Sequence, residues 1–293
     1  GVQTCALPIS SSAAVGEGPL AIVCGGGSLP FAVADAAVRQ GRKVILFALT
    51  GWADAQRLAA YSHHWVRMGQ YGRFKRLARA SNCRDVVFIG AVGRPSLWLL
   101  WPDLEALRVL PRVVPLFKGG DNHLLSGLGR LFESEGFRLI GAHEIAPEIL
   151  MPAGKLAGRD PSEAERADIS RGVELLRATA PFDIGQAVVV ANNHVLAVEG
   201  PEGTDQMLNR IAELRRSGRI RTPNGVGVLV KAAKVGQDHR LDLPSIGPKT
   251  VESASRAGLA GIAVLAGSTI VAEPERIAAD AVKAGVFVIG VAP

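Results

Sequence analysis

Several residue classes are scarce in this chain of 293 residues, and each scarcity excludes a class of protein. Aromatic residues make up only 5% of the sequence, which argues against a protein that stacks the bases of single-stranded nucleic acid. The three cysteines, Cys5, Cys24 and Cys83, have no metal-ligand spacing and cannot all pair in disulfides. We therefore expect a cytoplasmic protein, in a reducing compartment, that binds no nucleic acid.

Long runs of one residue type are also lacking. No stretch of about twenty apolar residues occurs, so the sequence predicts no membrane-spanning helix. Lysine and arginine form no block of the kind that makes a basic tail. Residues 1–18 lack both the charged start and the long apolar core of a signal peptide. We expect this segment to be a disordered or non-native extension outside the fold.

Hydrophobic residues, by contrast, make up 48% of the chain, which is enough to build buried cores. The net charge of +6 indicates an anionic partner. The length favours two domains. We predict an N-terminal domain over residues 19–146, a proline-punctuated linker over 147–161 and a C-terminal catalytic domain over 162–293.

The first half alternates short apolar strands with helices. We predict strands at 20–24, 43–49, 64–68, 85–89 and 138–140, and helices that include 73–81 and 122–135. In the first helix, Phe31, Ala34 and Val38 share the face expected to be buried. This alternation predicts an open α/β sheet with parallel strands.

A glycine-rich turn, Gly25 to Pro30, follows the first strand. Pro30 stands where a dinucleotide site requires its third glycine, and the second strand ends without a ribose-binding carboxylate, so NAD binding is disfavoured. Backbone N–H groups of such a turn can still hold a phosphate. A tight turn that merely requires glycine explains the pattern equally well.

Two further turns, residues 69–72 and 90–95, follow predicted strands at the edge where open sheets bind ligands. Arg94 in the second turn suits a phosphate group, although a surface ion pair would also explain it. Asp121 precedes a helix and could cap it, or hold a metal or a sugar hydroxyl. His123 has no second ligand at helical spacing, so a zinc site is not expected.

The second half mixes helices with short strands. Ser162 and Glu165 form a predicted capping box for a helix that ends near Ala178. Asn192-Asn193 joins two strands, 187–191 and 194–199, in a predicted hairpin. A further helix, 202–214, and strands at 261–265, 268–272 and 286–291 complete an α+β domain with a mixed sheet.

One charged loop, residues 230–248, follows a buried strand and precedes a helix that begins near Lys249. Its cations Lys231, Lys234 and Arg240 suit phosphate oxygens, and Asp242 suits a divalent metal or an activated water. A solvated charged loop is the alternative interpretation.

The order Lys231-x-x-Lys234-x-x-Gln237-x-x-Arg240-x-Asp242 resembles the signature of the LpxI-type UDP-2,3-diacylglucosamine pyrophosphatases. The resemblance runs from about Leu20 to Val291 and includes further elements in the same order. These elements are Gly25-Gly26-Gly27-Ser28-Leu29-Pro30, Arg94-Pro95, Gly120-Asp121, Gly141-Ala142-His143-Glu144, Asp183-Ile184-Gly185-Gln186, Glu199 and Glu202-Gly203-Thr204-Asp205.

The resemblance implies a Rossmann-like N-terminal domain, a C-terminal domain peculiar to the family, and a homodimer. It implies hydrolysis of UDP-2,3-diacylglucosamine to UMP and 2,3-diacylglucosamine 1-phosphate in lipid A biosynthesis of Gram-negative bacteria, with Mg²⁺ or Mn²⁺ as cofactor. Asp242 matches the family's essential aspartate and is expected to act as metal ligand or general base. Ala233 and Val235 replace prolines common in that loop, and Asn122 stands where relatives often have a second acid.

The site expected from the resemblance combines both halves of the chain. The expected catalytic residues are Lys231, Gln237, Arg240 and Asp242. The expected substrate-binding residues are Gly26, Gly27, Ser28, Leu29, Arg94, Asp121, Thr204 and Lys234.

Two alternative functions stay open at this point. The chain could be a non-catalytic protein that binds a nucleotide sugar or another phosphoryl ligand. It could also be a Rossmann-type reductase or glycosyltransferase, although the missing third glycine and ribose carboxylate count against the reductase. The apolar cluster Trp98 to Trp101 favours a core or dimer interface over a contact with acyl chains. The basic surface nevertheless suggests peripheral contact with the cytoplasmic leaflet of the inner membrane.

Overall fold

Two separate β-sheets organise the chain. The computed structural model describes residues 18–93, 101–115, 121–234 and 236–292, with the side chains of residues 121–123 excepted. The first sheet belongs to the first half of the sequence and is entirely parallel, whereas the second is mixed. An α/β fold with a Rossmann-like first sheet and a mixed second sheet is therefore confirmed.

The first sheet has five strands. They are β1 (Leu20–Cys24), β2 (Val44–Leu49), β3 (His63–Val66), β4 (Asp85–Ile89) and β5 (Arg138–Leu139). Their order in space is β3-β2-β1-β4-β5, and every pairing is parallel. The chain reverses direction across the sheet between β1 and β4, which is where open α/β sheets place ligands.

Helices cover both faces of this sheet. They are α1 (Leu29–Arg39), α2 (Ala55–Leu58), α3 (Tyr71–Ala80), α5 (Asp121–Ser134) and α6 (Ala142–Ile145), while α4 (Leu104–Val113) packs against α3 and α5 outside them. Alternate residues of β1 point to opposite faces of the sheet and belong to two hydrophobic cores. Leu20 and Ile22 pack in the core on one face, and Ala21 packs in the core on the other.

One detail of the predicted core of α1 is wrong. Phe31 and Ala34 are buried as expected, but Val38 is 54% exposed. Ala36 and Ala37 form the buried face near the end of the helix, so Val38 is left on the solvent side.

The second sheet has six strands in the order β6-β13-β11-β9-β7-β8. The strands are β6 (Gly154–Ala157), β7 (Ala187–Ala191), β8 (His194–Val198), β9 (Val228–Lys231), β11 (Gly261–Leu265) and β13 (Phe287–Val291). Its three central strands, β9, β11 and β13, are parallel, and antiparallel strands flank them. A separate parallel pair joins β10 (Ser245–Ile246) to β12 (Ile270–Val271).

Four helices accompany these strands. They are α7 (Glu163–Thr179), α8 (Gly203–Arg216), α9 (Pro248–Arg256) and α10 (Pro274–Ala284). The capping box of α7 is confirmed, because Glu165 N–H donates to Ser162 Oγ and Ser162 N–H donates to the Glu165 carboxylate. The hairpin is confirmed as well. Asn192 and Asn193 both have positive φ, as its two-residue turn requires.

The segment predicted as a linker is partly built into the second sheet. A 3-10 turn occupies residues 147–149, and β6 pairs antiparallel with β13. Met151 N–H also donates to the Thr269 carbonyl, which ties the start of this segment to the second half. The predicted division of the chain into domains stays a prediction.

The extension predicted over residues 1–18 lies, apart from Gly18, outside the described residues. Within the described part of the chain, no helix combines the length and hydrophobicity that crossing a membrane requires.

Candidate active site

The charged loop begins where β9 ends, and all four residues of β9 are buried. Between β9 and β10, the described residues of the charged loop, from residue 232 onward, form no helix or strand. Gly247 is then the N-cap of α9, and Pro248 is the first residue of that helix. Because β9 is a central parallel strand, its carboxyl end opens on the edge where loops can carry ligand-binding side chains. The loop therefore projects Asp242 from a rigid base.

Two glutamine amides hold the Asp242 carboxylate. Gln186 Nε2 donates to Asp242 Oδ2 at 3.2 Å, and Gln237 Nε2 donates to the same oxygen. Gln237 Oε1 in turn accepts from the backbone N–H of Lys234 at 3.0 Å. Asp242 N–H donates to the Asp238 carbonyl at 3.1 Å. The carboxylate is thus fixed from both side chain and backbone.

Lys231 lies beneath this loop as a buried cation. Its Nζ donates to Thr204 Oγ1 at 3.1 Å and to the Ser245 carbonyl at 3.0 Å. Burial lowers the pKa of the Lys231 ammonium, and the carboxylates of Glu199, Asp205 and Asp242 oppose that shift. The structure therefore places Lys231 where it fixes β10 and α8 relative to β9.

One hydrogen-bonded network joins Lys231 to Asp242. Thr204 Oγ1 donates to Glu199 Oε1 at 2.7 Å, and the other Glu199 oxygen accepts from the Gln186 N–H at 2.8 Å. Gln186 then reaches Asp242 through its side chain. Thr204, predicted to bind substrate, is thus brought to the same network as the predicted catalytic residues Lys231 and Asp242.

Lys234 forms an ion pair with Asp183. Its Nζ lies 2.5 Å from Asp183 Oδ1 and 3.3 Å from the Asp183 carbonyl oxygen. Its side chain is only 12% exposed. A phosphate that binds Lys234 would either share its ammonium with Asp183 or displace the Asp183 carboxylate from it.

Arg240 points toward the first sheet rather than toward Asp242's amide partners. Its Nε and Nη2 bind both oxygens of Asp238, and its Nη1 lies 2.8 Å from Glu133 Oε1. Hydrogen bonds donated by Arg240 to these carboxylates, that to Asp238 foremost, raise the pKa of Arg240. Glu133 belongs to α5, so Arg240 bridges the two halves of the chain.

Apolar contacts reinforce this bridge. Leu241 packs against the core beneath the first sheet, and a Cβ built on Gly129 of α5 would lie 2.8 Å from Leu241 Cδ1. Leu243 packs on the other core of the same sheet. The residues on both sides of Asp242 are therefore anchored in the N-terminal half, and Asp242 lies where the two halves meet.

The glycine-rich turn lies at the carboxyl edge of the first sheet. Gly26 exchanges two backbone hydrogen bonds with Ala91, at 2.8 and 2.9 Å. Ser28 makes no side-chain cap bond to α1, and its Oγ donates to Glu273 Oε1 at 3.2 Å in the second half. Gly27 lies between these two residues, and Leu29 begins α1. This second crossing contact brings the turn against the C-terminal half.

The side chains of two predicted substrate-binding residues, Arg94 and Asp121, are not described by the structure. Arg94 lies outside the described residues, together with Trp98 to Leu100 of the apolar cluster. Asp121 begins α5, but its side chain is not described, so its capping role stays a prediction. Trp101, the last residue of the cluster, is 58% exposed.

Comparison with known proteins finds a family model for each half of the chain. The family model described as the LpxI N-terminal domain matches residues 19–149, and the model described as the LpxI C-terminal domain matches residues 152–289. The chain is 40% identical over 274 residues to a protein of Caulobacter vibrioides named UDP-2,3-diacylglucosamine pyrophosphatase LpxI. That match covers 94% of this chain and 98% of the relative.

The chain belongs to the LpxI family. The predicted resemblance is confirmed, and both of its halves have a family model of their own.

The charged loop offers few carboxylates to a metal ion. Among the described residues, no three side chains of His, Cys, Asp or Glu are grouped as a set of metal ligands. Mg²⁺ often uses only one or two carboxylates and completes its shell with water and substrate phosphates. Asp242, an oxygen donor oriented by two amides, fits that pattern as a single protein ligand. The site therefore suits a divalent ion that arrives with phosphate oxygens.

Some members of the network were not selected from the sequence. Gln186 and Glu199 stand in the motif order that the LpxI family shares, but their side chains were not assigned a role there. Gln186 lies 56 residues from Asp242 in sequence, and Glu133 lies 107 residues from Arg240. The shared motif order was a signal for Gln186 and Glu199. For Glu133 the sequence carried none.

Proposed function

We propose that the protein hydrolyses the pyrophosphate bond of UDP-2,3-diacylglucosamine, releasing UMP and 2,3-diacylglucosamine 1-phosphate for lipid A biosynthesis. The observation that carries this proposal is the 40% identity, over nearly the full length of both chains, to a relative named for that activity. The oriented Asp242 at the junction of the two halves supplies a matching catalytic group.

The reaction consumes one water. The oxygen of the water bonds to one phosphorus, the bond from that phosphorus to the bridging oxygen breaks, and the second phosphate leaves with the bridging oxygen. Attack at either phosphorus gives the same two monophosphates. The proton lost by water must be accepted nearby, and a carboxylate is a suitable acceptor.

Asp242 is the group that we assign to this step, as general base or as ligand of Mg²⁺ or Mn²⁺. The amides of Gln186 and Gln237 hold it in place before substrate arrives, which reduces the reorganisation that the reaction requires. A divalent ion, when bound at Asp242 and the substrate phosphates, would neutralise charge on the phosphate oxygens. We propose this metal dependence from the chemistry of the donor set.

Cations around the loop provide the remaining positive charge. Lys234 would contact phosphate by exchanging the hydrogen bond of its ammonium to Asp183. Lys231 is buried and supports the loop from below. We assign Arg240 to positioning of Asp242, since its donors contact Asp238 and Glu133.

Apolar surface lies beside these polar groups. Phe182 is 74% exposed and Ile184 is 38% exposed, and they flank the Asp183 that contacts Lys234. Acyl chains of the substrate need such surface to leave water. We propose that the glycine turn at Gly26 to Leu29 faces the polar part of the substrate. The Gly26 N–H already donates to Ala91, so the N–H groups of Gly27 to Leu29 are the ones that we assign to phosphate.

We further propose that the protein is a homodimer that works in the cytoplasm, in peripheral contact with the inner membrane. The dimer is an expectation from the family resemblance. Membrane contact is supported by the chemistry of the proposed substrate, whose two acyl chains partition into a bilayer.

The decisive test measures UMP released from UDP-2,3-diacylglucosamine with Mg²⁺, with Mn²⁺ and with excess EDTA. We expect turnover that requires the metal and falls by about 10³-fold or more in Asp242→Asn, as for loss of a principal catalytic group. Asp160→Asn, an exposed aspartate paired with Lys155, is the matched control and should keep full activity.

Two results would contradict the proposal. Wild-type protein that binds UMP or the substrate but gives no turnover would support the non-catalytic nucleotide-sugar-binding alternative. Equal turnover in wild type and Asp242→Asn would retain the reaction and remove Asp242 from it.

A further inference from the structure

Helix α4 presents an apolar face to solvent. Leu104 is 75% exposed, Leu107 48%, Leu110 44% and Val114 50%. These four positions fall within a sector of about 120° on a helix of 100° per residue. None of the ten residues of α4 is buried. An amphipathic helix whose apolar side faces outward has a surface that some partner must cover.

An exposed tryptophan extends this face. Trp101 stands three residues before α4 and is 58% exposed. The Arg67 guanidinium lies 4.7 Å from the centre of its ring. A tryptophan beside an arginine combines an apolar body with a polar rim, which is the chemistry favoured where hydrocarbon meets water.

Around the apolar face of α4, the basic side chains point to solvent and the acidic ones do not. Arg108 and Arg112 are exposed on the sector next to the leucines, and the side chain of Arg108 is 74% exposed although it contacts Glu105. The acids turn toward α3, since Glu105 lies 2.7 Å from Lys75 and Asp103 accepts from the Arg73 N–H.

Helix α3, which packs beside α4, adds further positive charge. It carries four cations and no acid. Two of them, Lys75 and Arg79, pair with Glu135, whereas Arg73 and Arg76 are exposed and supply the added charge. The apolar face therefore lies in a basic surround that complements an anionic surface.

We propose that Trp101, Leu104, Leu107, Leu110 and Val114, flanked by Arg108 and Arg112, form a docking surface for an anionic phospholipid bilayer. This surface is called the α4 face below. The inference rests on the proposed function, because a diacylated substrate resides in a membrane and the enzyme must meet it there. An apolar stripe bordered by arginines is the pattern of helices that lie in the membrane interface.

A second copy of the chain fits the α4 face less well. A two-fold contact uses the same patch on both subunits. It would bring Arg108 and Arg112 of one copy near those of the other, which is electrostatically unfavourable. A bilayer of anionic lipids pairs with the same arginines favourably.

Binding to vesicles tests the proposal directly. Full-length protein is sedimented with vesicles of phosphatidylcholine alone or with about one third phosphatidylglycerol added. We expect binding to the anionic vesicles to fall about tenfold or more in Leu104→Ser/Leu107→Ser, because two inserted side chains become polar. The matched control is Val38→Ser/Val282→Ser, which alters two residues exposed by 54% and 66% on α1 and α10 and should change nothing.

A charge variant tests the arginines separately. Arg108→Gln/Arg112→Gln should weaken binding to anionic vesicles severalfold at low salt and should have little effect on neutral ones, because each cation near such a surface adds attraction. Arg166→Gln/Arg177→Gln, exposed on α7, removes the same charge elsewhere and serves as control. Equal loss in both charge variants would show attraction by net charge alone and overturn the assignment to α4.

Further outcomes separate this proposal from the proposed function. UMP release from a water-soluble short-chain substrate should be equal in wild type and Leu104→Ser/Leu107→Ser, whereas release from vesicle-borne substrate should fall in the variant. Unchanged vesicle binding by the leucine variant, with normal turnover, would overturn only the docking surface. A halved molecular mass in that variant would assign the α4 face to contact between copies and overturn bilayer docking.

Discussion

The position of a single carboxylate, that of Asp242, depends on two neutral amides. Gln237 is buried, donates to Asp242 and accepts from the Lys234 N–H. Gln186 donates to the same Asp242 oxygen and is fixed through its backbone by Glu199. Amides of this kind orient a carboxylate without neutralising it. They are therefore positioning residues for the proposed reaction.

Replacement of Gln237 should affect turnover more than binding. We expect Gln237→Ala to lower kcat by about 10- to 100-fold, as is usual when a partner that orients a catalytic ligand is removed, with a small change in KM. Steady-state kinetics on folded protein give both constants. Gln56→Ala, an exposed glutamine in α2, is the control. A rise in KM with kcat unchanged would show that Gln237 acts on substrate binding instead.

Sequence reasoning at this scale identified residue types well and spatial partners poorly. The charged loop contained Lys231, Gln237 and Asp242, and the structure joins all three in one network. Arg240 was expected to bind phosphate, because cations next to a catalytic aspartate suggest that role. That role stays a prediction. In the structure its guanidinium contacts Asp238, two residues away, and Glu133, 107 residues away, and no local pattern specifies the second contact.

At the scale of elements, α7 shows how sequence patterns and packing combine. Ser162 and Glu165 announce its start in the sequence, and the structure adds Arg159, whose two Nη atoms lie 2.5 and 2.7 Å from the Glu165 carboxylate. The hydrogen bond from Arg159 foremost lowers the pKa of Glu165 to about 2. A group with this shift links the stability of the helix start to acid pH.

The sign of this linkage follows from the lowered pKa. The folded state favours the charged carboxylate, so its stabilising contribution is complete above the ordinary pKa of 4.5 and is lost as pH falls toward about 2. We expect Glu165→Gln to reduce the free energy of unfolding by about 1–2 kcal/mol at pH 7. Urea titrations at pH 7 and pH 3 measure the difference between wild type and variant, which should shrink at pH 3. A difference independent of pH would contradict this linkage.

The middle of α7 crosses the second sheet at a glycine. A Cβ on Gly172 would lie 2.6 Å from Val230 Cγ2 and 3.2 Å from Val188 Cγ1. Val230 directly precedes Lys231 in β9, so the close contact of α7 with Val230 also fixes the end of the strand from which the charged loop leaves. Glycine at this place reflects close packing of a helix on a strand rather than a turn.

Alanine at this position should therefore destabilise the protein, although alanine favours helices. We expect Gly172→Ala to cost about 1–3 kcal/mol from overpacking, which exceeds the gain of about 1 kcal/mol in helix propensity. Thermal or urea unfolding measures the change. Ser170→Ala, exposed on the same helix, is the control and should be neutral or stabilising. A more stable Gly172→Ala would show that β9 yields without cost.

Other elements were missed for identifiable physical reasons. Helix α4 was not predicted although Leu104, Leu107 and Leu110 recur at helical spacing, because Pro111 lies inside it and proline usually ends a helix. Strand β6 is four residues long and follows two prolines, which resembles a linker. Its pairing with β13 is a tertiary contact across more than a hundred residues, and local propensity does not encode it.

At the scale of the whole molecule, the charged loop is shared by both halves. Its backbone leaves the second sheet at Lys231, whereas Arg240, Leu241 and Leu243 contact helices and cores of the first. Parallel sheets and their ligand edges follow from alternating strands and helices, so the open first sheet was predictable. The meeting of the two edges at Asp242 depends on these long-range contacts and was not.

The ion pair of Arg240 with Glu133 tests whether this sharing matters for activity. Both side chains are almost 40% exposed, so loss of the pair should cost at most about 1 kcal/mol of stability. We expect Glu133→Gln to lower kcat about five- to tenfold, because Arg240 then no longer fixes the position of Asp242 relative to the first sheet. Glu148→Gln breaks a comparable exposed pair with Arg39 and should leave kcat unchanged.

A double-mutant cycle separates positioning by Arg240 from direct contact with phosphate. If Arg240 acts through Glu133, the loss in Arg240→Gln should be similar to that in Glu133→Gln, and the double variant should lose little more. Strong additivity, with Arg240→Gln alone losing 10²-fold or more and KM rising, would instead assign the guanidinium to the substrate. In the first case, high salt should lower the kcat of the wild type toward that of Glu133→Gln, because salt screens an exposed ion pair. The cycle thus determines whether the two halves cooperate through a contact that is already formed in the free protein or through one that substrate creates.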